Sequence, residues 1–419
     1  MAVSRRIFLR NSAIAMAGIG AAPLWLERAA FAQDSQGARK KVLVAIFQRG
    51  AADGLNIAIP HGERRYYDLR PTISVPRPSA NIAAEDSVAD LDGFFGLHPA
   101  LVSLKPLWQQ QRLAIVHAAG SPDPTRSHFD AQDYMESGTP GLKSTNDGWL
   151  NRALVQESGS VSPVRAISLG PELARALRGP QNAIAVESLA NFTVKDAAAA
   201  KTMQAMYAGT NDQILNGTAR ETFEAVKLLQ SIQKTPYRPE GGANYPRGRF
   251  GDSLRQIAQL IKADVGVEVA FADIGGWDHH VNETGQKASA GQLANKLREF
   301  GDSLAAFHQD LGDRLEDVVV VTMSEFGRTA KENGNRGTDH GHANVMFVMG
   351  GPVRGGKVYG KWPGLAPEQL NEQRDLALTT DFRDVLGEAV YTHLGNRSIQ
   401  SVFPGYAGTP ARFRGLLNT

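Results

Sequence analysis

The chain has 419 residues, of which 42% are hydrophobic and 21% charged, and its 45 Lys and Arg against 43 Asp and Glu leave a formal net charge of +2. Charge this balanced gives no electrostatic case for nucleic-acid binding. The absence of cysteine excludes disulfides and all cysteine chemistry.

In chain order, the first segment reads as a targeting sequence. Ser4-Arg5-Arg6-Ile7-Phe8-Leu9-Arg10 has the form of a twin-arginine export signal, followed by an apolar, small-residue stretch from Ala13 to Leu26. Ala30-Phe31-Ala32 then supplies an A-x-A cleavage site, which predicts a mature chain beginning at Gln33. The apolar stretch falls short of the roughly 20 residues that a membrane span needs. The expectation is therefore a soluble periplasmic or secreted protein that meets the twin-arginine translocation machinery during export and has no stable membrane span. The segment holds four arginines and one glutamate, so the remainder sits near −1. Without disulfides, residues 33–419 must rest on a large core.

Beyond it, apolar strand-like runs alternate with helical patterns. Strands are predicted at 42–47, 113–116, 166–169, 267–272, 318–322 and 345–349, on length and β-branched content. Helical spacing marks 99–110 and 291–311, the latter through Leu293, Leu297, Phe300, Leu304 and Phe307. This alternation predicts an α/β fold with a largely parallel central sheet flanked by helices. Residues 193–233 are richer in Ala and polar residues, with helical character at 194–207 and 220–233, and the turn-rich 236–246 follows. We read 170–250 as a helical insertion or cap, with two peripheral helices as the alternative. A closing helix is expected at 381–394.

Chemistry concentrates at predicted strand ends, where open parallel sheets gather ligands and catalytic groups. After the first strand comes Gln48-Arg49-Gly50-Ala51-Ala52-Asp53-Gly54, placing the Asp53 carboxylate in a glycine-flanked turn. After the second comes Ser121-Pro-Asp-Pro-Thr-Arg-Ser-His-Phe-Asp130, ahead of a helix running to Gly138. Ser127 there suits either a helix N-cap or a nucleophile beside free backbone N–H groups. Arg126 suits recognition of a phosphate or sulfate. Gly276-Trp277-Asp278-His279-His280 follows another strand, and Ser324-Glu325-Phe326-Gly327-Arg328 with Thr338-Asp339-His340-Gly341-His342 follows the next. These carboxylates and imidazoles form a candidate metal site of Asp53, Asp278, His280, Glu325, Asp339, His340 and His342. The donor set suits one or two divalent ions, with Zn and Mn favoured and Ca or Mg open where oxygen dominates. Which member of each histidine pair is the ligand stays open.

In order, these segments resemble the alkaline phosphatase, phosphomutase and sulfatase superfamily. More closely, Arg126-Ser-His-Phe-Asp-Ala-Gln-Asp-Tyr134, Gly276-Trp-Asp-His-His280, Ser324-Glu-Phe-Gly-Arg328 and Gly337-Thr-Asp-His-Gly-His342 resemble a bacterial family described as sulfatase-like, exported by the twin-arginine route and of unknown function. The resemblance implies that Asp53 is the first metal aspartate, that Ser127 is the nucleophile and that Asp278 and His280 bind one metal. His340 or His342 would be the last metal histidine, with Asp339 as a further ligand. At Glu325-Phe326 glutamate and phenylalanine replace the superfamily's Asp-His, a change that bears on a second metal. A formylglycine sulfatase is not expected, because Pro122 occupies the nucleophile position of the Cys/Ser-x-Pro-x-Arg register. The implied function is metal-dependent hydrolysis of a small anionic ester, a phosphate or sulfate, with Ser127 or else a metal-bound water attacking and Arg126 or Arg328 stabilising developing charge. The alternative is a metal-stabilised binding or scaffold protein without turnover.

Overall fold

The computed structural model of the protein describes residues 39–155, 161–191, 213–233 and 236–418. The expected export signal and the helical run at 194–207 lie outside the described residues. Twelve strands are described: β1 (Val42–Arg49), β2 (Ala58–Ile59), β3 (Ala89–Asp90), β4 (Gly96–Leu97), β5 (Leu113–Gly120), β6 (Ala166–Leu169), β7 (Ile184–Val186), β8 (Val269–Gly275), β9 (Val318–Met323), β10 (Asn344–Gly350), β11 (Lys357–Tyr359) and β12 (Thr380–Asp381). Nine form one sheet in the order β11-β5-β10-β9-β1-β8-β6-β7, with β12 also against β5, while β2, β4 and β3 make a small second sheet.

The large sheet is mixed but mostly parallel. β1 runs parallel to β8 and β9, and β6 parallel to β8 and β7, whereas β10 is antiparallel to both β5 and β9. Every residue of β9 and β10 and nearly all of β1 is buried. Such continuous apolar runs are what a sheet covered on both faces requires. Alternate side chains of β1 enter opposite layers: Val42, Val44 and Ile46 pack with the helices Arg249–Lys262 and Gln292–Leu311, while Leu43, Ala45 and Phe47 pack with Trp149, Phe382 and Phe403. The result is a three-layer α/β sandwich.

All six predicted strands appear in the large sheet. The short strands β7, β11 and β12 were not predicted, since two or three residues carry no period. The predicted helix at 99–110 divides into a 3₁₀ segment, Pro99–Leu104, and a helix, Lys105–Gln109, with Pro106 in the first turn of the second. The closing helix becomes Phe382–Glu388 followed by a π-helical turn, Ala389–His393. Within 170–250, β7 is the edge strand of the large sheet, and Ala225 and Leu229 of the helix Gln213–Gln233 enter the core. Among the described residues, no helix is long and apolar enough to cross a membrane.

Parallel register puts strand ends level. Phe47 of β1 stands opposite Met323 of β9 and Asp273 of β8, so the carboxyl ends of three neighbouring strands share one edge. β10 and β5 complete it, β10 with its amino end and β5 with its carboxyl end.

Three buried histidines set a pH dependence for this core. Desolvation lowers His98 to about 3, and His117 and His393 to about 4. The folded state thus binds fewer protons than the unfolded one between pH 6.5 and 4. Stability is fully present above pH 6.5 and falls as pH drops through that window, at roughly 1.4 kcal/mol per unit for each group. Urea midpoints should decline from pH 7 to pH 5, and the decline should be shallower in His393→Gln.

Candidate metal centre

Four chain segments meet at the sheet edge just described. After β5, the loop turns where Asp123 Oδ1 accepts from the Thr125 amide, then enters the helix His128–Ser137 with Ser127 as N-cap. After β8, Gly276–His280 crosses over β1, at whose end Gly50 has φ +117°. A Cβ on Gly50 would lie 2.9 Å from the Asp278 nitrogen, so only glycine permits this approach. After β9, residues 324–343 return to antiparallel β10, and an antiparallel bridge pairs Arg328 with His340. That bridge brings the Ser-Glu-Phe-Gly-Arg and Thr-Asp-His-Gly-His strings together.

The side chains converge on one point. The ligand atoms of His128, Asp278 and His340 all lie within 4.8 Å of one another. His340 Nε2 is 3.1 Å from His128 Nε2 and 3.0 Å from His280 Nε2. Asp278 Oδ1 lies 3.0 Å from His280 Nε2 and 3.5 Å from His340 Nε2, and Oδ2 is 3.7 Å from His128 Nε2. These side chains are a quarter to a half exposed, which leaves the point open to solvent.

The other nitrogen of each ring is committed elsewhere. His128 Nδ1 donates to Glu325 Oε1 at 2.9 Å, His340 Nδ1 to the Arg126 carbonyl at 3.0 Å, and His280 Nδ1 to Asp339 Oδ1 at 3.3 Å. Acceptors at all three Nδ1 positions assign the proton there, so three Nε2 lone pairs and a carboxylate face one another. Nitrogen lone pairs 3 Å apart repel unless a proton or a metal cation lies between them. Separations of this size match those between ligand atoms around an ion bound at about 2.0–2.2 Å. His128, Asp278 and His340 fit a divalent metal, each imidazole oriented from behind by an acceptor, and His280 adjoins them through His340 and Asp278.

The electrostatics follow from the same contacts. The hydrogen bond to Glu325 raises the His128 pKa above its usual value. Desolvation pushes Asp278 upward, but the hydrogen bond and charge of Arg328 outweigh it and hold the carboxylate below its ordinary range. Desolvation lowers His340. Arg328 is fully buried. Its Nη2 donates to Asp278 Oδ1 at 2.5 Å and to the Gly50 carbonyl at 2.6 Å, and Nε to the Ala51 carbonyl at 2.6 Å.

Of the seven expected ligands, Asp278, His280 and His340 are brought together here. Asp53 instead lies buried in a two-point ion pair with Arg70, which holds its carboxylate low against desolvation. Glu325 is fully buried and accepts from His128, Gln132 and the Gly50 amide, so it stands behind an imidazole. Asp339 stands behind His280. His342 is not part of the group, and burial lowers its pKa. Ser127 is exposed, and its hydroxyl accepts from the Asp130 amide as an N-cap does. Arg126 pairs with Glu372 and Asp375, and Arg328 is buried beneath the cluster. His128, which the sequence places in the chemistry-bearing loop after β5 but gives no ligand role, enters the group. Its signal was its place as first residue of the helix after the β5 loop.

A family model described as "Protein of unknown function (DUF1501)" matches residues 40–399. Comparison with curated proteins finds no match. Among solved structures, the chain is similar to the C-terminal periplasmic domain of EcEptC from Escherichia coli in complex with Zn, at 9% identity and TM-score 0.34, covering 75% of this chain and 74% of that one. It is similar to the lipoteichoic acid synthase LtaP from Listeria monocytogenes at 9% identity and TM-score 0.32, covering 75% and 66%. It is also similar to the PsFucS1 sulfatase from Pseudoalteromonas sp. at 13% identity and TM-score 0.34, covering 80% and 68%.

The two arginines should differ sharply on substitution. Arg328→Gln removes a buried charge that ties together three loops, and should cost about 3–5 kcal/mol in urea unfolding. Arg126→Gln breaks an exposed pair with Glu372 and leaves the buried Asp375 to Arg374 at 3.7 Å, and should cost less, about 1–2 kcal/mol.

Proposed function

We propose that this chain, which belongs to the family described as Protein of unknown function (DUF1501), is a metal-dependent hydrolase of phosphate or sulfate esters, exported to the periplasm or beyond. The observation that carries the reading is the convergence of the His128, His280 and His340 Nε2 atoms on Asp278, with every Nδ1 held from behind. Three imidazoles and one carboxylate favour Zn or a similar transition ion over Ca or Mg. A bound ion there supplies Lewis acidity toward an ester oxygen and lowers the pKa of water.

The chain's own residues then have distinct tasks. Glu325, Asp339 and the Arg126 carbonyl orient the three rings, and Arg328 fixes Asp278. The amino end of the helix His128–Ser137 adjoins the cluster and favours an anionic group. Ser127 at that end is placed for attack only if its capping hydrogen bond is released. Phe129, 89% exposed beside His128, offers an aromatic face to the non-reacting part of a substrate.

One observation favours a second reading, a metal-stabilised binding protein without turnover. Arg126 and Arg328 are both engaged by carboxylates or carbonyls, so neither presents a free guanidinium to an ester. A panel of phosphate and sulfate mono- and diesters separates the readings. Turnover by metal-loaded protein supports the hydrolase, and none across the panel supports the binding protein.

Metal content of protein purified without chelator should be one ion per chain by mass spectrometry, lost in His340→Ala and in Asp278→Asn. Wild type that folds well and carries no metal would sink both readings. In an active preparation, Ser127→Ala should lower kcat at least a hundredfold if the serine is the nucleophile. Undiminished turnover would remove it from the mechanism.

A further inference from the structure

A cavity of about 300 Å³ opens at the same sheet edge, over the carboxyl ends of β8 and β6. Arginines dominate its charged lining: Arg49, Arg175, Arg178 and Arg249, against Glu136, Glu172 and Asp273. Two of these carboxylates are already satisfied. Asp273 accepts from Arg49 Nε at 2.7 Å and from Arg249 Nη2 at 3.1 Å. Glu136 pairs with Arg49 Nη2 at 2.9 Å and accepts from the Ala176 amide at 2.9 Å. Arg175 is consumed by Asp133 and two backbone carbonyls.

The donors that remain belong to two residues. The Arg178 guanidinium is exposed and meets no hydrogen-bonding or ionic partner among the described residues. Arg249 is 60% exposed and spends Nη2 on Asp273, with Nε and Nη1 unengaged among the described residues. Its Nη2 lies over Gly170, where a Cβ would come within 2.9 Å, so the glycine admits the guanidinium to the cavity wall. Glu172 is exposed, and its side chain has no partner among the described residues.

We propose that this cavity is an oxyanion-binding site, separate from the metal centre, in which Arg178 and Arg249 receive a phosphate, sulfate or carboxylate group. Planar guanidinium forks match the paired oxygens of such groups. The site stands independently of the ester-hydrolase reading. It also touches the metal centre through Arg49: Nη1 donates to Gln132 Oε1 at 3.0 Å, Gln132 Nε2 donates to Glu325 Oε1 at 2.9 Å, and Glu325 accepts from His128. The anion has two possible sources, a free ion or a second charged group on a molecule that also reaches the metal centre.

Isothermal titration of the full chain with inorganic phosphate, inorganic sulfate and fructose 1,6-bisphosphate tests the site. Phosphate and sulfate should bind saturably, about tenfold more weakly to Arg178→Gln and to Arg249→Gln, and more tightly to Glu172→Gln. His340→Ala should leave phosphate binding intact. A bisphosphate that gains over phosphate in wild type but not in His340→Ala identifies the bridging source, and equal affinities identify the free ion. The proposal is overturned if neither inorganic anion binds wild type at about 20 mM, or if binding survives in both arginine variants but disappears in His340→Ala.

Discussion

The buried guanidinium of Arg328 is the contact on which the site depends. It lies beneath the ends of three strands and donates to carbonyls from each neighbouring loop: Gly50 and Ala51 after β1, Trp277 after β8 and Thr338 before β10. Its other contacts hold Asp278 and reach the His280 Nε2 at 3.5 Å. A fully buried charge is tolerated only when its donors are met, and here meeting them requires the loops to stand where the imidazoles converge. The same cation that satisfies the backbone keeps the Asp278 carboxylate ionised.

Around that anchor, each imidazole is aimed by an acceptor from a different part of the chain. Glu325 lies just beyond β9, Arg126 precedes the helix after β5, and Asp339 lies in the β9–β10 connection. Glu325 in turn receives the Gly50 amide and the Gln132 side chain. Its negative charge is therefore stabilised by hydrogen bonds despite complete burial, and desolvation alone would have raised its pKa.

A second polar group is buried nearby, where Asp53 and Arg70 pair and Glu283 adjoins them. Glu283 accepts from Asn56 and Thr338, and desolvation together with the Asp53 charge drives its pKa well above the usual value. Two carboxyl groups beside one arginine cannot both remain charged without water, so Asp53 keeps the charge and Glu283 the proton. This explains why a carboxylate in a glycine-flanked turn is a structural ion pair here: Arg70 reaches it from 17 residues away and no metal is needed to balance it.

The central strands were legible because each is a continuous apolar run long enough to show its type, as in Val318–Met323, and their alternation with helices determined the α/β class. The convergence of Asp278, His280 and His340 was legible too, since strand ends in a parallel sheet share one edge. Tertiary structure alone decided the roles within each string. Glu325 and His128 are 197 residues apart, and only the level register of β9 with its neighbours, plus the turn after β5, sets one behind the other. Spacing reports which donors exist, but the direction of an imidazole depends on which acceptor its Nδ1 meets. That acceptor comes from another part of the chain.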